Sequence, residues 1–236
     1  MTSDRELMEV RVAALFTHVA DARIRFVNEP WADAATRTAA PRFFLGRTAE
    51  GNLWRFRADV PDALVDHLQD LCFDEPPLSN ARDAPRHVAS YLRLLAPRES
   101  TRPGMGPAYR VPAGAEPSQR AVRITEANAA VLGAGFDDCA PELDSAQPFV
   151  GIVSDGRAVS ICRSVRIGDR GHEAGVETLT DFRGRGFAPA AVAAWAAAVE
   201  QLGCVALYST SWENTASQRV AGKVGAVFFG ADFHVA

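Results

Sequence analysis

An arginine- and glycine-rich turn at Asp181–Ala188 constrains this chain more than any other segment, because it joins an apolar run to an alanine-rich run. Residues 174–179 before the turn predict a strand, and residues 189–202 after it predict a helix. Gly184 and Gly186 allow the backbone to approach a ligand closely. The first N–H groups of a helix are unpaired donors at its positive dipole end. The turn therefore predicts a pocket for a pyrophosphate group.

Two arginines in the turn strengthen this prediction, since the guanidinium groups of Arg183 and Arg185 suit phosphate geometrically. Two other interpretations stay open at this point. A turn of this composition can enter a helix without holding any ligand. A dinucleotide-binding fold also has a glycine-rich turn between strand and helix, but its fingerprint needs three spaced glycines and a later acidic residue. Only Gly184 and Gly186 are present here.

Charge and hydropathy exclude several classes of partner. The formal net charge of the 236 residues is −4, which gives no electrostatic footprint for binding nucleic acid. No apolar run reaches the roughly 18 residues needed to cross a bilayer, and the N-terminus lacks an apolar signal core. We therefore expect a cytoplasmic protein without a nucleic-acid or membrane partner.

The cysteines and histidines do not form a pattern typical of metal sites. The four cysteines are far apart in the sequence and form no Cys-x-x-Cys pair, so neither zinc nor a disulfide framework is predicted. The five histidines are equally scattered. We expect reduced thiols and no bound metal. The cysteines are Cys72, Cys139, Cys162 and Cys204.

The N-terminal half predicts a small α/β unit. Its predicted elements are a helix at 5–18, a strand at 22–27, a hairpin at 42–46 and 53–58, and helices opened by Pro61 and Pro85. A loop rich in Pro and Gly follows at 99–107 and is expected to be flexible. We therefore divide the chain into residues 1–104, a companion domain, and residues 105–236, a second domain.

The second domain alternates strands with helices. The dipeptide Asp155-Gly156 between two apolar runs is a strong hairpin signal. The predicted elements are strands at 108–111, 149–153, 158–167, 173–179, 205–210 and 227–235, and helices at 126–132, 189–202 and 215–224.

Two motifs lie on these elements. Arg183, Gly186 and Ala188 form an Arg-x-x-Gly-x-Ala pattern in the turn, and Asn214 at the next helix start is followed three positions later by Ser217. Together with the order of the elements, they resemble the acyl-CoA-dependent N-acetyltransferases of the GNAT superfamily.

The resemblance covers about 125 residues, from Ala108 onward. It implies an α/β (α+β) fold of the GNAT type: a mixed, mostly antiparallel sheet with a splayed parallel strand pair and flanking helices. The splayed strands are expected at 173–179 and 205–210. The smaller N-terminal α/β domain carries no matching motif, and a degenerate copy of the same half-fold is one interpretation of it.

The resemblance also implies acetyl-CoA as co-substrate. In the family, the Arg-x-x-Gly-x-Ala turn cradles the pyrophosphate of coenzyme A, the Asn motif lies near the coenzyme, and backbone N–H groups of the first splayed strand face the pantetheine arm. The residues assigned in this way are Thr178, Leu179, Arg183, Gly184, Arg185, Gly186, Phe187, Ala188, Asn214 and Ser217.

Acyl transfer to an amine needs a group that takes the amine proton, since a protonated amine cannot attack. Glu173 and Glu177 are the candidates, because four residues along a strand place them on one face, where mutual repulsion can raise one pKa. Glu177, closer to the turn, is the first choice. Both can instead be ordinary surface charges, and the neighbouring His172 is an alternative base.

The sequence offers several candidates for the group that protonates the departing thiolate. Many relatives place a Tyr seven residues after the motif Asn, and this position is Ala221 here. Tyr208, Ser209 or Ser211 can take that role, or the thiolate leaves without a dedicated acid.

We therefore predict an N-acetyltransferase that transfers an acetyl group to the primary amine of a small molecule by direct attack in a ternary complex. Two alternatives are an enzyme for protein or peptide amines and a non-catalytic acyl-CoA-binding sensor, which Ala221 favours. The sequence leaves open whether the chain forms a homodimer.

Overall fold

The computed structural model describes residues 2–95, 102–112, 114 and 120–236. Within these residues the strands are β1 (Phe16–His18), β2 (Ile24–Val27), β3 (Phe43–Thr48), β4 (Gly51–Phe56), β5 (Gly104–Arg110), β6 (Ala121–Arg123), β7 (Phe149–Ser154), β8 (Arg157–Ile167), β9 (Gly171–Thr178), β10 (Val205–Ser209) and β11 (Val227–Val235). The α-helices are α1 (Asp4–Leu15), α2 (Asp62–Phe73), α3 (Val88–Leu95), α4 (Phe187–Gln201) and α5 (Thr215–Lys223).

Nine of the strands form one sheet in the order β4-β3-β11-β5-β10-β9-β8-β7-β6. Neighbouring strands are antiparallel except for β9 and β10, which are parallel. This confirms the predicted mixed sheet with a parallel pair and flanking helices. The N-terminal hairpin β3–β4 joins the same sheet through β11. The division of the chain into two domains stays a prediction, and its boundary falls at the first residue of β5.

The two parallel strands separate soon after they meet. They pair only where Val205–Leu207 lies beside Gly171–Glu173. Beyond this point β9 continues along β8 as far as Thr178, whereas β10 stays paired with β5. A gap therefore opens in the middle of the sheet, between the second half of β9 and the end of β10.

Helices cover both faces of the sheet near this gap. On one face α4 packs over β7–β10 around the fully buried Trp195. On the other face α1 packs against β3, β9 and β11 through Met8, Val10 and other apolar residues. No helix in the described ranges is long and apolar enough to cross a membrane.

β5 begins earlier than predicted. Residues 104–107 were expected to belong to a flexible loop, but they lie in a central strand; residues 99–101 of that loop fall outside the described ranges. The glycines that suggested a loop are required by packing. A Cβ at Gly104 would lie 2.1 Å from Nε2 of His234, and one at Gly106 would lie 1.8 Å from the carbonyl oxygen of Thr210.

Two predicted helices also differ from the structure. α1 ends at Leu15, since residues 16–18 pair with β2 and Phe16 packs edge-on against Phe44. The segment Glu126–Gly135 is a 3₁₀-helix rather than an α-helix. Asn128 has a non-helical φ of −127° there, because its side chain accepts a hydrogen bond from the backbone N–H of Thr125.

Candidate active site

A cleft of about 730 Å³ occupies the gap between β9 and β10 and extends to the N-termini of α4 and α5. Most of the residues predicted from the sequence meet there. The predicted residues that line the cleft are Glu177, Thr178, Leu179, Arg183, Gly184, Gly186, Phe187, Ala188, Tyr208, Asn214 and Ser217. Glu173, Arg185 and Ser209 lie outside its lining.

The turn before α4 presents backbone donors to the cleft. Gly184 and Gly186 have φ values of +77° and +84°, a left-handed conformation that favours glycine. Gly186 is the N-cap, and no side chain caps the helix. Because Pro189 has no N–H group, the donors of the first turn are those of Phe187 and Ala188. The turn thus presents unpaired backbone donors of the kind that bind anions.

Arg183 and Arg185 have different surroundings. Nε of Arg183 donates a hydrogen bond to the carbonyl oxygen of Thr178 at 3.2 Å, which fixes the turn to the end of β9. The Arg185 guanidinium instead lies over the Phe182 ring, 5.3 Å from its centroid. Of these two arginines, Arg183 lines the cleft and Arg185 does not.

The edge of β9 supplies further backbone donors. The register with β8 places Val176 and Thr178 in non-hydrogen-bonded pairs, so their N–H groups point away from β8 toward the gap. The N–H of Leu179 is donated to the carbonyl oxygen of Val159 at 3.0 Å. The N–H of Leu179 is therefore paired within the sheet and not free to face a pantetheine arm, whereas the N–H of Val176 points toward the gap.

Asn214 and Ser217 are joined at the start of α5. The Asn214 Oδ1 atom accepts a hydrogen bond from the Ser217 N–H at 3.0 Å and so caps the helix. The Ser217 hydroxyl lies 2.6 Å from the hydroxyl of Tyr208 on β10. Burial raises the pKa of Tyr208 to about 12. Its phenol is therefore protonated at neutral pH.

Ala221 is buried in the same apolar cluster as Tyr208. The position where relatives carry a Tyr is thus filled by a small side chain, while a Tyr from the neighbouring strand reaches the cleft. A hydroxyl is present in the cleft, but it comes from β10 instead of α5.

Glu173 and Glu177 share one face of β9, as predicted. The intervening Ala174 and Val176 pack toward α4, whereas Glu173 lies beside α1. Glu177 lines the cleft with its side chain half-exposed, and it accepts a hydrogen bond from Nη1 of Arg163 at 2.5 Å. The two carboxylates therefore occupy very different environments.

Glu173 is only 4% exposed. Its nearest cation is Arg11, whose Nε lies 3.7 Å from Oε2, and neither carboxylate oxygen accepts a well-formed hydrogen bond. Burial raises the pKa of Glu173, although Arg11 and the Ser209 hydroxyl oppose this. The predicted rise in pKa thus arises from burial and not from repulsion by Glu177.

His172 lies on the opposite face of β9 from both glutamates. Its Nδ1 is 2.9 Å from the Ser164 hydroxyl, which also accepts a hydrogen bond from Nε1 of Trp195. Burial lowers the pKa of His172. Its partners are core residues, which disfavours it as the base.

The cleft also contains residues that the sequence analysis missed. Arg219 and Lys223 lie four apart on α5, and this helical spacing could have indicated a shared face. Gly135 and Phe136 come from the distant 3₁₀ region and follow no motif. In the described residues no group of three or more His, Cys, Asp or Glu side chains is arranged to hold a metal ion.

Known proteins were compared with both the sequence and the fold. Among solved structures, a functionally unknown conserved protein from Staphylococcus epidermidis superposes with a TM-score of 0.51, 15% identity, and coverage of 95% of this chain and 94% of that chain. A GCN5-related N-acetyltransferase from Kribbella flavida superposes with a TM-score of 0.49, 18% identity, and coverage of 98% and 94%. At these identities the likeness concerns the fold alone.

A search of the curated proteins finds no match. The family model described as GNAT acetyltransferase matches residues 149–229. This segment contains the separating strands, the turn before α4 and the capped start of α5, which together form most of the cleft. Residues 149–229 of the chain therefore match a GNAT acetyltransferase domain.

Proposed function

We propose that this protein is an acetyl-CoA-dependent N-acetyltransferase that acetylates the primary amine of a small molecule by direct attack in a ternary complex. The observation that carries the proposal is the separation of β9 from β10 directly above the uncapped N-terminus of α4. An extended thioester arm and an anionic group fit these two adjoining features.

The chemistry of the cleft suits coenzyme A. The N–H groups of Phe187 and Ala188 and the guanidinium of Arg183 would bind the pyrophosphate. Arg219 and Lys223 add positive charge on the α5 side. The N–H groups along β9 would pair with the amides of the pantetheine arm as another strand does.

Side chains around the cleft can then support acyl transfer. The amine nitrogen forms a bond to the thioester carbon and the carbon–sulfur bond breaks. The amine proton passes to a carboxylate, Glu177 or Glu173, and the Thr178 N–H stabilises charge on the carbonyl oxygen. The Tyr208 hydroxyl, which lines the cleft and lies 2.6 Å from the Ser217 hydroxyl, would protonate the thiolate.

The face of the sheet that carries Glu177 favours a small acceptor. The segment after β2 crosses this face: Nδ2 of Asn28 donates to the carbonyl oxygen of Ile167 at 2.7 Å, and Glu29 pairs with Arg166 at 3.4 Å. Trp31 follows, with the Arg163 guanidinium 5.9 Å from its ring centroid. This segment forms a wall beside Glu177, which restricts access by a folded protein substrate.

We further propose that the reaction takes place in the cytoplasm. The four cysteines are free, and three of them are buried. Unpaired thiols are typical of a reducing compartment.

Two experiments test the function. Titration calorimetry measures binding of acetyl-CoA to the wild-type protein, with Arg183→Glu as a variant of weakened affinity. Absence of binding at millimolar acetyl-CoA contradicts the proposal. The second experiment follows thiol release from acetyl-CoA across a panel of small amines and peptides; preference for small amines supports the proposed acceptor class.

The main alternative is a non-catalytic acyl-CoA sensor, which the small side chain at Ala221 favours. Tight coenzyme binding without thiol release for any amine would support the sensor. Faster turnover of peptides than of small amines would instead support a protein or peptide acetyltransferase.

A further inference from the structure

Three charged side chains from distant parts of the chain meet in the interior beside the separating strands. Arg11 comes from α1, Glu173 from β9 and Asp232 from β11, and all three are less than a tenth exposed. Two carboxylates thus share one guanidinium. Such a cluster is costly to bury, and its contribution to stability is therefore small at best.

The guanidinium is shared unequally. Nη2 of Arg11 lies 2.7 Å from Oδ2 of Asp232, whereas Nε lies 3.7 Å from Oε2 of Glu173. Asp232 also accepts from Nδ1 of His234 at 3.1 Å on its other oxygen. Asp232 is therefore well bound, while both oxygens of Glu173 are buried without a well-formed hydrogen bond.

Glu173 lies at the point where β9 and β10 separate. Glu173 is the last residue of β9 that pairs with β10, so its backbone marks the point where the strands separate. Nε and Nη1 of Arg11 are buried without hydrogen bonds as well. A small movement of the Arg11 side chain could bring it into full contact with Glu173, and the bond to Asp232 opposes this movement.

We propose that Arg11 and Asp232 are positioning residues for Glu173: Asp232 holds the guanidinium away from Glu173, which is then able to take the acceptor amine's proton. Because Glu173 is buried outside the cleft lining, the proton would reach it through water. The inference rests on the proposed function, because it assigns Glu173 a part in deprotonating the acceptor. It also makes α1 an integral part of the active site.

The charges around Glu173 support this arrangement. From the elements packed against it, Glu173 is faced by Arg11 of α1, Asp232 of β11, Ser209 of β10 and Arg166 of β8. Arg166 is itself paired with Glu29 at 3.4 Å. Burial raises the pKa of Glu173 and Asp232 adds to this, whereas Arg11, Ser209 and Arg166 lower it.

Asp232 has the opposite behaviour. Burial opposes its ionisation, but Arg11 and His234 together hold the pKa of Asp232 below its usual value. A carboxylate that is bound closely by a guanidinium is a poor base. A buried carboxylate that is only weakly paired has a stronger affinity for a proton. Within the cluster, Asp232 therefore stays ionised, whereas Glu173 is the side chain that can accept a proton.

Opposite substitutions in the cluster test the proposal. Asp232→Asn frees the guanidinium to bind Glu173 and removes a neighbouring negative charge, so the apparent pKa of Glu173 should fall by about one unit. Arg11→Met removes the cation, so this pKa should rise by about one unit. Arg11→Lys keeps a positive charge and should titrate close to the wild-type protein.

Two readouts are needed. The first is the acid limb of kcat/KM for thiol release as a function of pH, with the amine found to be the best acceptor. The second is an NMR titration of ¹³C-labelled glutamate carboxyls without substrate, with the Glu173 signal assigned from Glu173→Gln. Shifts of opposite sign for Asp232→Asn and Arg11→Met in both readouts confirm the proposal.

Other outcomes are equally decisive. An NMR titration of Glu173 that neither variant moves, or that both move in the same direction, overturns the positioning role. If the NMR titration moves but the acid limb does not, Glu173 does not take the proton and the inference fails, although the protein remains an acetyltransferase. No thiol release by the wild-type protein with any amine contradicts the proposed function itself.

Matched controls separate this effect from general damage. Arg5→Met changes another arginine of α1, whose pair with Glu9 is half-exposed, and Asp62→Asn changes an exposed partner of Arg23. Both should leave the two titrations unchanged. Circular dichroism reports whether each variant is folded. If Arg11→Met does not fold, the other two variants still test the proposal, because it requires a lowered pKa of Glu173 in Asp232→Asn and a pKa close to that of the wild-type protein in Arg11→Lys.

Discussion

The hydroxyl of Tyr208 lies 2.6 Å from that of Ser217, which joins the end of β10 to the first turn of α5 across the cleft. The same serine is held by its backbone N–H to the side chain of Asn214. A cap residue, a serine and a tyrosine thus form one connected unit. The unit sets a protonated phenol in the cleft, while the α5 position at which relatives carry a tyrosine is Ala221.

Replacement of Tyr208 by Phe should lower kcat by about 100-fold, since general acid catalysis typically contributes 10²–10⁴-fold. The apparent KM for acetyl-CoA should change little, because the ring remains in place. Steady-state kinetics measures both constants. Tyr109→Phe is the matched control: Tyr109 also lies in the sheet, but its ring packs on Phe228 outside the cleft lining. Equal loss in both variants would argue against a specific role for Tyr208.

Arg183→Glu should raise the apparent KM for acetyl-CoA at least tenfold, because it replaces a guanidinium beside the α4 N-terminus with a negative charge. Loss of a charge-assisted bond costs about 1.5–3 kcal/mol, which corresponds to a tenfold change or more. Calorimetry with coenzyme A gives the change in affinity independently of turnover. Arg170→Glu, an exposed arginine paired with Glu6, serves as the control and should bind normally. Unaltered affinity in Arg183→Glu removes this residue from the coenzyme site.

Glu177→Gln separates the two candidate bases. The value of kcat should fall by about 100-fold if Glu177 takes the amine proton and should change much less if Glu173 takes it, with little effect on coenzyme binding in either case. Glu142→Gln provides a close comparison. Glu142 binds the same guanidinium, Arg163, at 2.7 Å, but does not line the cleft. Loss of activity in Glu142→Gln as well would show that the effect comes from release of Arg163 and not from catalysis.

Glu173→Gln should stabilise the fold at neutral pH. The pKa of Glu173 is raised in the folded state, so its protonated form favours folding. This stabilising contribution is complete below the pKa of Glu in the unfolded chain, and it is lost as the pH rises through the raised pKa of the folded protein. At neutral pH the ionised side chain therefore destabilises the fold, and Gln removes that charge. A gain of the order of 1 kcal/mol corresponds to a rise in Tm of about 2–4 °C for a protein of this size. Scanning calorimetry should show that the gain disappears below the unfolded pKa of Glu; a lower Tm than wild type at neutral pH would contradict the assignment.

Gly186→Ala should weaken acetyl-CoA binding and cost about 1–2 kcal/mol of stability, because the N-cap of α4 has a left-handed φ of +84°. Gly222→Ala is the natural comparison. Gly222 lies within α5, where an added Cβ meets no atom within 4 Å, so alanine should be neutral or stabilising there. Thermal unfolding and calorimetry check both effects. A Gly186→Ala protein with wild-type affinity would show that the strained turn is dispensable.

The sequence predicted correctly those turns and hairpins that depend on a few neighbouring residues. The hairpin of β7 and β8 follows from Asp155 and Gly156, which both have positive φ, and the turn before α4 follows from its glycines. The splayed pair was implied by the family resemblance, and the register confirms it. These features depend on a few adjacent residues or on a motif.

Long-range contacts account for what the sequence analysis missed. Gly104 and Gly106 indicated a loop, because the close approach of His234 and Thr210 that requires them cannot be inferred from neighbouring residues. Arg11 carried no signal either. Its partners Glu173 and Asp232 lie far along the chain, and only the packing of α1 on β9 and β11 brings them together.

The place of β11 in the sheet also determines the order in which the chain can assemble. β11 lies between β3 and β5, and Gly46 pairs with Asp232, so the β3–β4 hairpin waits for a strand that is synthesised much later. Until then, the edge of β3 that β11 will cover has no partner in the sheet. Pairings this distant in sequence slow folding, because the loop-closure entropy is lost before the contacts form. The sheet is therefore expected to become complete only after β11 has left the ribosome, and until then β3 is the segment that a chaperone would need to protect.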